Sequence, residues 1–246
     1  IQAEQQLRDN TFVLHKHLNR SNPSYADWIV SNLRENAVVA VDKLLFSVGQ
    51  INALEKKFIR HNIHLRFTND YMSKVWNERP SLPTNKIFEH DISFAGKSRV
   101  DKIQEIRNEM IGQNIDHHLI TKLDDIAWTY NLRGKDVECN PVFISYAVIG
   151  KNKSYLFVDS DKLSTELQQK LLEDGLHIQP YNSIFEYLKN IPEVEKILTD
   201  RSSISLACAD AISSDQLVYG KNIPMHLKAV KNSTEINHIR QCMVKD

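Results

Sequence analysis

Apolar positions along this chain switch repeatedly between the period of a strand and the period of a helix. Val38-Val39-Ala40-Val41 is a short β-branched run and predicts a strand. Ser47 and Gln50 stand at capping-box spacing beside it, and Val48, Ile51, Leu54, Phe58 and Ile59 then recur at helical intervals. Asn62 can stop that helix in a left-handed conformation, and Ile63-His64-Leu65 predicts the next strand. Tyr71 to Trp76 predicts a further short helix.

Further along, Val100, Ile103, Ile106 and Met110 share one side of a helix that Ser98 and Asp101 can cap. Leu119-Ile120 predicts a short strand and Asp124 to Asn131 a second helix. Phe143 to Ile149 and Ser154 to Val158 flank Gly150-Lys151-Asn152-Lys153, which reads as a hairpin turn. Helical spacing returns at Leu163, Leu167, Leu171 and Leu172 and ends at Gly175. Leu176-His177-Ile178 predicts a strand, then Ser183 and Glu186 a capping box ahead of Phe185, Leu188 and Ile191. Ile204 to Ala207 predicts the last strand.

The same strand–helix–strand order thus occurs twice, and some identities repeat with it. Val41-Asp42-Lys43-Leu44 parallels Val158-Asp159 with Lys162-Leu163, and Ile63-His64-Leu65 parallels Leu176-His177-Ile178. Two readings stay open: a duplicated α/β unit, or chance likeness between two such units. Pro80 and Pro83 interrupt periodicity between Glu78 and Asp91, which predicts a linker. Asn232 and Glu235 open a final helix whose apolar face is Ile236, Ile239 and Met243. Its stripe still runs at Asp246, so it reads as cut rather than finished.

Composition narrows the partners. Lys plus Arg equals Asp plus Glu at 31 each among 246 residues, which gives no support for nucleic-acid or membrane-surface binding. No apolar run approaches the roughly 20 residues that span a bilayer. Ile1-Gln2-Ala3-Glu4 is not a signal peptide and carries no initiator Met, so the chain reads as beginning partway through a longer protein. Cys139, Cys208 and Cys242 are far apart and odd in number, which fits a reducing cytoplasm and predicts three buried thiols acting as small apolar side chains.

The common catalytic signatures are absent: no nucleotide-binding glycine pattern, no His-Glu-x-x-His, no Cys-x-x-Cys and no Gly-x-Ser-x-Gly. His15 and His17 alternate as two ligands on one strand face would, His117 and His118 point to opposite faces, and Asn62 separates His61 from His64. No carboxylate or cysteine joins them at metal spacing, so they are expected to be surface or locally hydrogen-bonded histidines. Asp124-Asp125 suits the first turn of a helix, where acids favour the dipole, and no converging partner marks it for acid–base work. The stretch from Leu123 to Asp136 reads as a helix burying Trp128, then a tight turn with Arg133 beside Gly134, then a strand entered through Pro141. Two readings stay open: a helix–turn–strand element that serves the core alone, or one that presents Arg133 to a neighbouring domain or an anionic group.

Leu123, Asp124, Ile126, Ala127, Trp128, Asn131-Leu132-Arg133-Gly134, Asn140-Pro141-Val142-Phe143 and Tyr146 together closely resemble the middle domain of the three-domain Xaa-Pro aminopeptidases (aminopeptidase P). Three further places agree in order. Val41-Asp42 resembles a first-domain strand of that family, and Phe94-Ala95-Gly96-Lys97-Ser98 its entry into the middle domain. Leu227 to Asn232, with Glu235-Ile236 and Arg240, is similar to its lead-in to the catalytic domain.

The resemblance implies an α/β fold of two tandem ribonuclease H-like domains of the creatinase/prolidase N-terminal type. Residues 1–90 would be the latter part of the first domain, 91–222 a complete middle domain, and 223–246 the first helix of a pita-bread catalytic domain. In the family that third domain holds two divalent metals, usually manganese, on two Asp, one His and two Glu. None of those positions falls in this chain, so no catalytic residue and no metal ligand is expected in it. The resemblance also implies a peptide substrate with proline second, a homodimer formed through the missing domain, and no nucleic-acid or membrane partner. The front domains wall the active-site mouth in the family, and Arg133 and Asn140 are the candidates here for facing it. A stand-alone binding or oligomerisation module of the same fold is the alternative, and an unrelated α/β enzyme would rest on the histidines alone.

Overall fold

The structure, a computed structural model, describes residues 2–7, 12–15, 24–68 and 70–245. It separates into two compact units, one of residues 1–41 with 51–68 and one of residues 42–50 with 69–246.

The elements of the first unit are α1 (Gln2–Gln6), α2 (Tyr25–Asn32), β1 (Val38–Asp42), most of α3 (Val48–Phe58) and β2 (His64–Thr68). Ser24 starts α2 with a complete capping box: its N–H donates to Asp27 Oδ2 at 2.9 Å, and Asp27 N–H donates back to Ser24 Oγ at 3.3 Å. Lys57 of α3 pairs with Asp27 and, with Ser24, holds that carboxyl down to about 2. The expected stop at Asn62 is present, with φ of 51°. The chain then turns into β2, which lies beside β1 in a two-stranded sheet. Ile51, Leu54, Phe58 and Ile63 are buried. The Ser47/Gln50 box forms as well, at 2.9 and 3.2 Å.

The second unit is built on a mixed six-stranded sheet. Its elements are β3 (Phe88–Glu89), α4 (Ile92–Ala95), α5 (Arg99–Gly112), β4 (His117–Ile120), α6 (Leu123–Tyr130), β5 (Leu132–Arg133), β6 (Tyr146–Gly150), β7 (Ser154–Phe157), α7 (Thr165–Glu173) and β8 (Leu176–Gln179), then α8 (Ile184–Lys189), β9 (Ile197–Thr199), α9 (Leu206–Ala209), β10 (Leu217–Tyr219), α10 (Ile223–Ala229) and α11 (Ser233–Lys245). The strand order is β10-β9-β4-β6-β7-β8, with β4, β6 and β7 antiparallel in turn and the outer neighbours parallel. β3 and β5 form a separate antiparallel pair, Phe88 opposite Arg133 and Glu89 opposite Leu132.

Period-two alternation sends successive strand residues into two cores. Ile120, Ala147, Ile149 and Leu156 meet Ile103, Ile106 and Met110 of α5, Ile126 and Tyr130 of α6, and Leu167 and Leu171 of α7. Leu119, Val148 and Phe157 meet Ile184 and Leu188 of α8 and Cys208 of α9 on the opposite face. Both faces are covered, so the central strands read as continuous apolar runs. The α/β class expected from the alternation is therefore realised. The hairpin closes where expected, Gly150 N–H donating to Lys153 C=O at 2.9 Å, and Gly175 ends α7 with φ of 79°.

Several expectations are corrected. Ile204 to Ala207 is not a strand: Ser205 Oγ accepts from Cys208 N–H at 3.3 Å and starts the one-turn helix α9. The strands of that region are β9 and, at the sheet edge, β10, three residues each. The Ser183/Glu186 box does not form, because a 3₁₀ turn at Tyr181–Ser183 precedes α8 and Ser183 Oγ donates to Pro180 C=O instead. Tyr71 to Trp76 shortens to the 3₁₀ turn Met72–Lys74. Val100 is exposed, since the buried stripe of α5 runs through Arg99, Lys102, Ile103, Ile106 and Met110. Leu172 is exposed too, and of the three thiols expected to be buried Cys208 is, whereas Cys139 and Cys242 are exposed.

Burial of charge is a second theme of this unit. Lys162 and Asp136 form an ion pair of 2.6 Å with side chains 3% and 0% exposed. Asp136 Oδ2 also accepts from Ile144 N–H at 2.7 Å, so the pair ties the loop before β6 to the turn after β7. Removing one partner strands the other charge without water. Lys162→Met is expected to lower the free energy of urea unfolding by about 3–5 kcal/mol. A loss below about 1 kcal/mol would contradict this reading of the pair.

Candidate functional site

Three segments that are far apart in sequence close on one another in the second unit. The meeting point begins at Asn131, which ends α6 in the left-handed region with φ of 52°. Asparagine is suited to that position because its short amide can bond locally. Here the amide bonds outward in two directions. Nδ2 donates to Lys97 C=O at 2.9 Å, and Oδ1 accepts from Lys102 Nζ at 2.6 Å.

Lys102 is only 1% exposed. Its ammonium also donates to Trp128 C=O at 2.9 Å and lies 4.2 Å from the centre of the Trp128 ring. An aromatic face and two carbonyl-type oxygens replace the water that a lysine head requires. Burial pushes its pKa down to about 8, with Arg133 and Lys97 acting in the same direction and Glu235 opposing them. Among the described residues no carboxylate lies within ion-pairing distance of it.

Trp128 continues the chain of contacts. It is half-buried rather than buried as expected, because its indole edge faces α11: Nε1–H donates to Glu235 Oε1 at 3.3 Å. Glu235 and Asn232 form the capping box expected for the last helix, with both bonds at 2.9 Å. Asn232 Nδ2 then donates to Ala95 C=O at 2.9 Å. Gly96 makes that approach possible. Its φ is +66°, and a Cβ there would stand 2.4 Å from Asn232 Oδ1. The circuit therefore runs from Ala95–Lys97 through Asn131, Lys102, Trp128, Glu235 and Asn232 back to Ala95.

Arg133 and His90 flank the circuit. Arg133 is half-buried on β5, and its Nη1 donates to Ala127 C=O and Leu132 C=O, both at 2.9 Å. Burial lowers its pKa. His90 N–H donates to Asn131 C=O at 2.7 Å, and burial, then Arg133 and Lys102, lower the imidazole's pKa. Its ring stacks with Phe94 at 5.8 Å, and the His238 ring meets Phe94 in a tilted contact at 5.2 Å. Asn140 lies elsewhere, exposed in the turn from Val137. It lines a shallow depression of about 400 Å³ with Phe88, Gly134, Lys135 and Pro141. Arg133 and Asn140 are thus not brought together.

A second polar network holds α10. Asp125 is fully buried and accepts from Asn222 Nδ2 at 2.7 Å and Lys228 Nζ at 2.5 Å; Asp124 also accepts from Lys228, at 2.5 Å. Burial raises the Asp125 pKa against the pull of Lys228. His118 is buried beside it, with Nδ1 3.1 Å from Leu198 C=O and Nε2 accepting from Ile223 N–H at 3.3 Å. Burial lowers its pKa and keeps it neutral. The Asp124-Asp125 pair therefore anchors a helix.

His117 contacts Glu195 at 2.6 Å, His15 packs on Trp28, and His17 lies outside the described residues. Among the described residues no group of three or more His, Cys, Asp or Glu gathers as a metal would require. The described side chains do not fit the two divalent ions that the resemblance associates with the family. Lys102 and Asn222 escaped the sequence reading, and His118, expected at the surface or locally hydrogen-bonded, is fully buried. A signal existed for Lys102: extending the Ile103–Ile106–Met110 stripe back one turn reaches positions 99 and 102, both charged.

Residues 78–235 match the family described as Creatinase/Prolidase N-terminal domain. Over its whole length the chain is 34% identical, across 255 aligned residues, to Xaa-Pro aminopeptidase 1 of Dictyostelium discoideum, of which it covers 40%. The solved X-prolyl aminopeptidase of Caenorhabditis elegans, described as a cytosolic enzyme with a di-nuclear active site, has the same fold. The TM-score is 0.89 at 21% identity, covering 98% of this chain and 40% of that one. The chain belongs to the creatinase/prolidase N-terminal domain family. Within it, the chain is homologous to part of the Xaa-Pro aminopeptidases and spans about 40% of the length of the curated relatives it matches. No helix among the described residues is long and apolar enough to cross a membrane.

The buried ammonium has a measurable signature. The folded protein releases the Lys102 proton near pH 8 and the unfolded chain near 10.5. Between those values the unfolded state binds more protons, so this group's contribution to stability rises with pH. From pH 8 to 9 wild type should gain stability over Lys102→Met in urea melts, by up to about 1.4 kcal/mol. A wild-type-to-variant difference that stays constant over that interval would contradict it.

Proposed function

We propose that this chain is the front, non-catalytic part of a metal-dependent Xaa-Pro aminopeptidase, an enzyme that removes the N-terminal residue preceding proline. The observation that carries the reading is the 34% identity maintained over the entire chain to a curated Xaa-Pro aminopeptidase. In this reading residues 1–90 are part of a first creatinase N-terminal-like domain, residues 91–222 the middle domain, and residues 223–246 the lead-in to the catalytic domain, with α11 as its first helix. The two manganese or other divalent ions, and the contacts of a homodimer, belong to the remainder of the enzyme. The enzyme is cytoplasmic, as the C. elegans relative is described to be.

The chain's own part is to wall the active site. Arg133 suits that part because its guanidinium is half-buried and, among the described residues, has no carboxylate partner. Asn140 is exposed on a turn and is free to face a neighbouring domain. Neither side chain supplies a nucleophile or a general base, so the chain is inactive alone. Incubating it with manganese and a Xaa-Pro peptide is expected to release no N-terminal residue. Turnover above a no-protein control would overturn the proposal.

A further inference from the structure

We infer that Lys102 is a positioning residue for α11, acting through the Trp128 indole on a helix with which it shares no hydrogen bond or ion pair. α11 has 13 residues, a length that is marginal for an isolated helix in water. Its outward stripe cannot supply the missing stability, since Ile236, Ile239, Met243 and Val244 are all exposed. The inward contacts are Asn232 on Ala95, Glu235 on Trp128, and His238 against Phe94, a ring that is itself 55% exposed. Order in α11 therefore rests chiefly on two polar anchors.

The two anchors are held by different means. Asn232 sits in a space that exists only because residue 96 is glycine. Glu235 depends on where the Trp128 N–H points, and a half-buried indole needs something to fix its ring plane. Lys102 does this from below, with its ammonium against the ring face and Asn131 Oδ1 holding the ammonium in place. Two fixed points one helical turn apart define the axis of α11. Losing the second leaves the helix hinged at Asn232. Charged groups facing the ammonium are Glu235 from α11, Arg133 from β5, Lys97 from the α4–α5 turn and Glu105 from α5, with His90 nearby. The inference does not depend on the peptidase reading.

Backbone hydrogen exchange on the full chain tests it. In wild type, the amides of residues 237–243 should exchange well below the rate of an unstructured peptide. Lys102→Met, which keeps the packing and removes the charge, should speed them about tenfold or more while β4 and β6 amides stay as slow as before. Trp128→Phe keeps a ring over Lys102 and removes the donor to Glu235, and should do the same. If Lys102→Met loosens the sheet as well, Trp128→Phe decides. Unchanged exchange in α11 for either variant, equal speeding of α11 and the sheet in Trp128→Phe, or unprotected α11 amides in wild type would each overturn the inference.

Discussion

The arrangement of the second unit depends on finding room for one ammonium ion away from water. Lys102 sits on the buried stripe of α5 between Arg99 and Ile106, and its head has no carboxylate to meet among the described residues. The protein supplies instead the C-terminal end of α6, where carbonyl oxygens carry partial negative charge, and an aromatic face. That choice fixes Asn131 in the left-handed region, orients Trp128, and leaves the indole N–H pointing outward for Glu235. Each step follows from satisfying the polar group that precedes it.

The same rule organises the neighbouring network. Asp125 is buried one turn before Trp128 on α6, and it draws Asn222 and Lys228 of the following segment onto that helix. α6 therefore presents two sets of polar groups, one reaching α10 and one reaching α11. The apolar core on one face of the sheet holds α6 in place, through Ile126 and Tyr130 at 0% exposure. Apolar packing fixes the helix, and the polar groups at its ends fix what comes after it. The homology to Xaa-Pro aminopeptidases gives this arrangement a context, because the family match ends at Glu235 within the circuit.

Much of the fold was legible because its signals are local. The Ser47/Gln50 box, the stop at Asn62, the Gly150–Lys153 turn and the end at Gly175 are each decided within a few residues. β9 and β10 were not legible, since three residues carry too little periodicity to separate a strand from a loop. Ile204 misled because an apolar residue before a small-residue run looks like strand until the Ser205 cap is recognised. The buried charges were invisible to hydrophobic patterning, which counts lysine and arginine as surface. Their partners, Asn131 for Lys102 and Asp136 for Lys162, come from distant segments that leave no periodic trace. The motif resemblance had marked residues 94–98, 123–146 and 227–240, and contact in three dimensions is what joins them.

These segments form one cooperative circuit. The most direct measurement is a double-mutant cycle between Lys102→Met and Asn232→Ala in urea unfolding. The two side chains lie in the same circuit and share no hydrogen bond with each other. A single circuit predicts a coupling free energy of about 0.5 kcal/mol or more, because breaking it once removes part of what the second break would cost. Additivity within about 0.3 kcal/mol would show the contacts to be independent, with no circuit joining them.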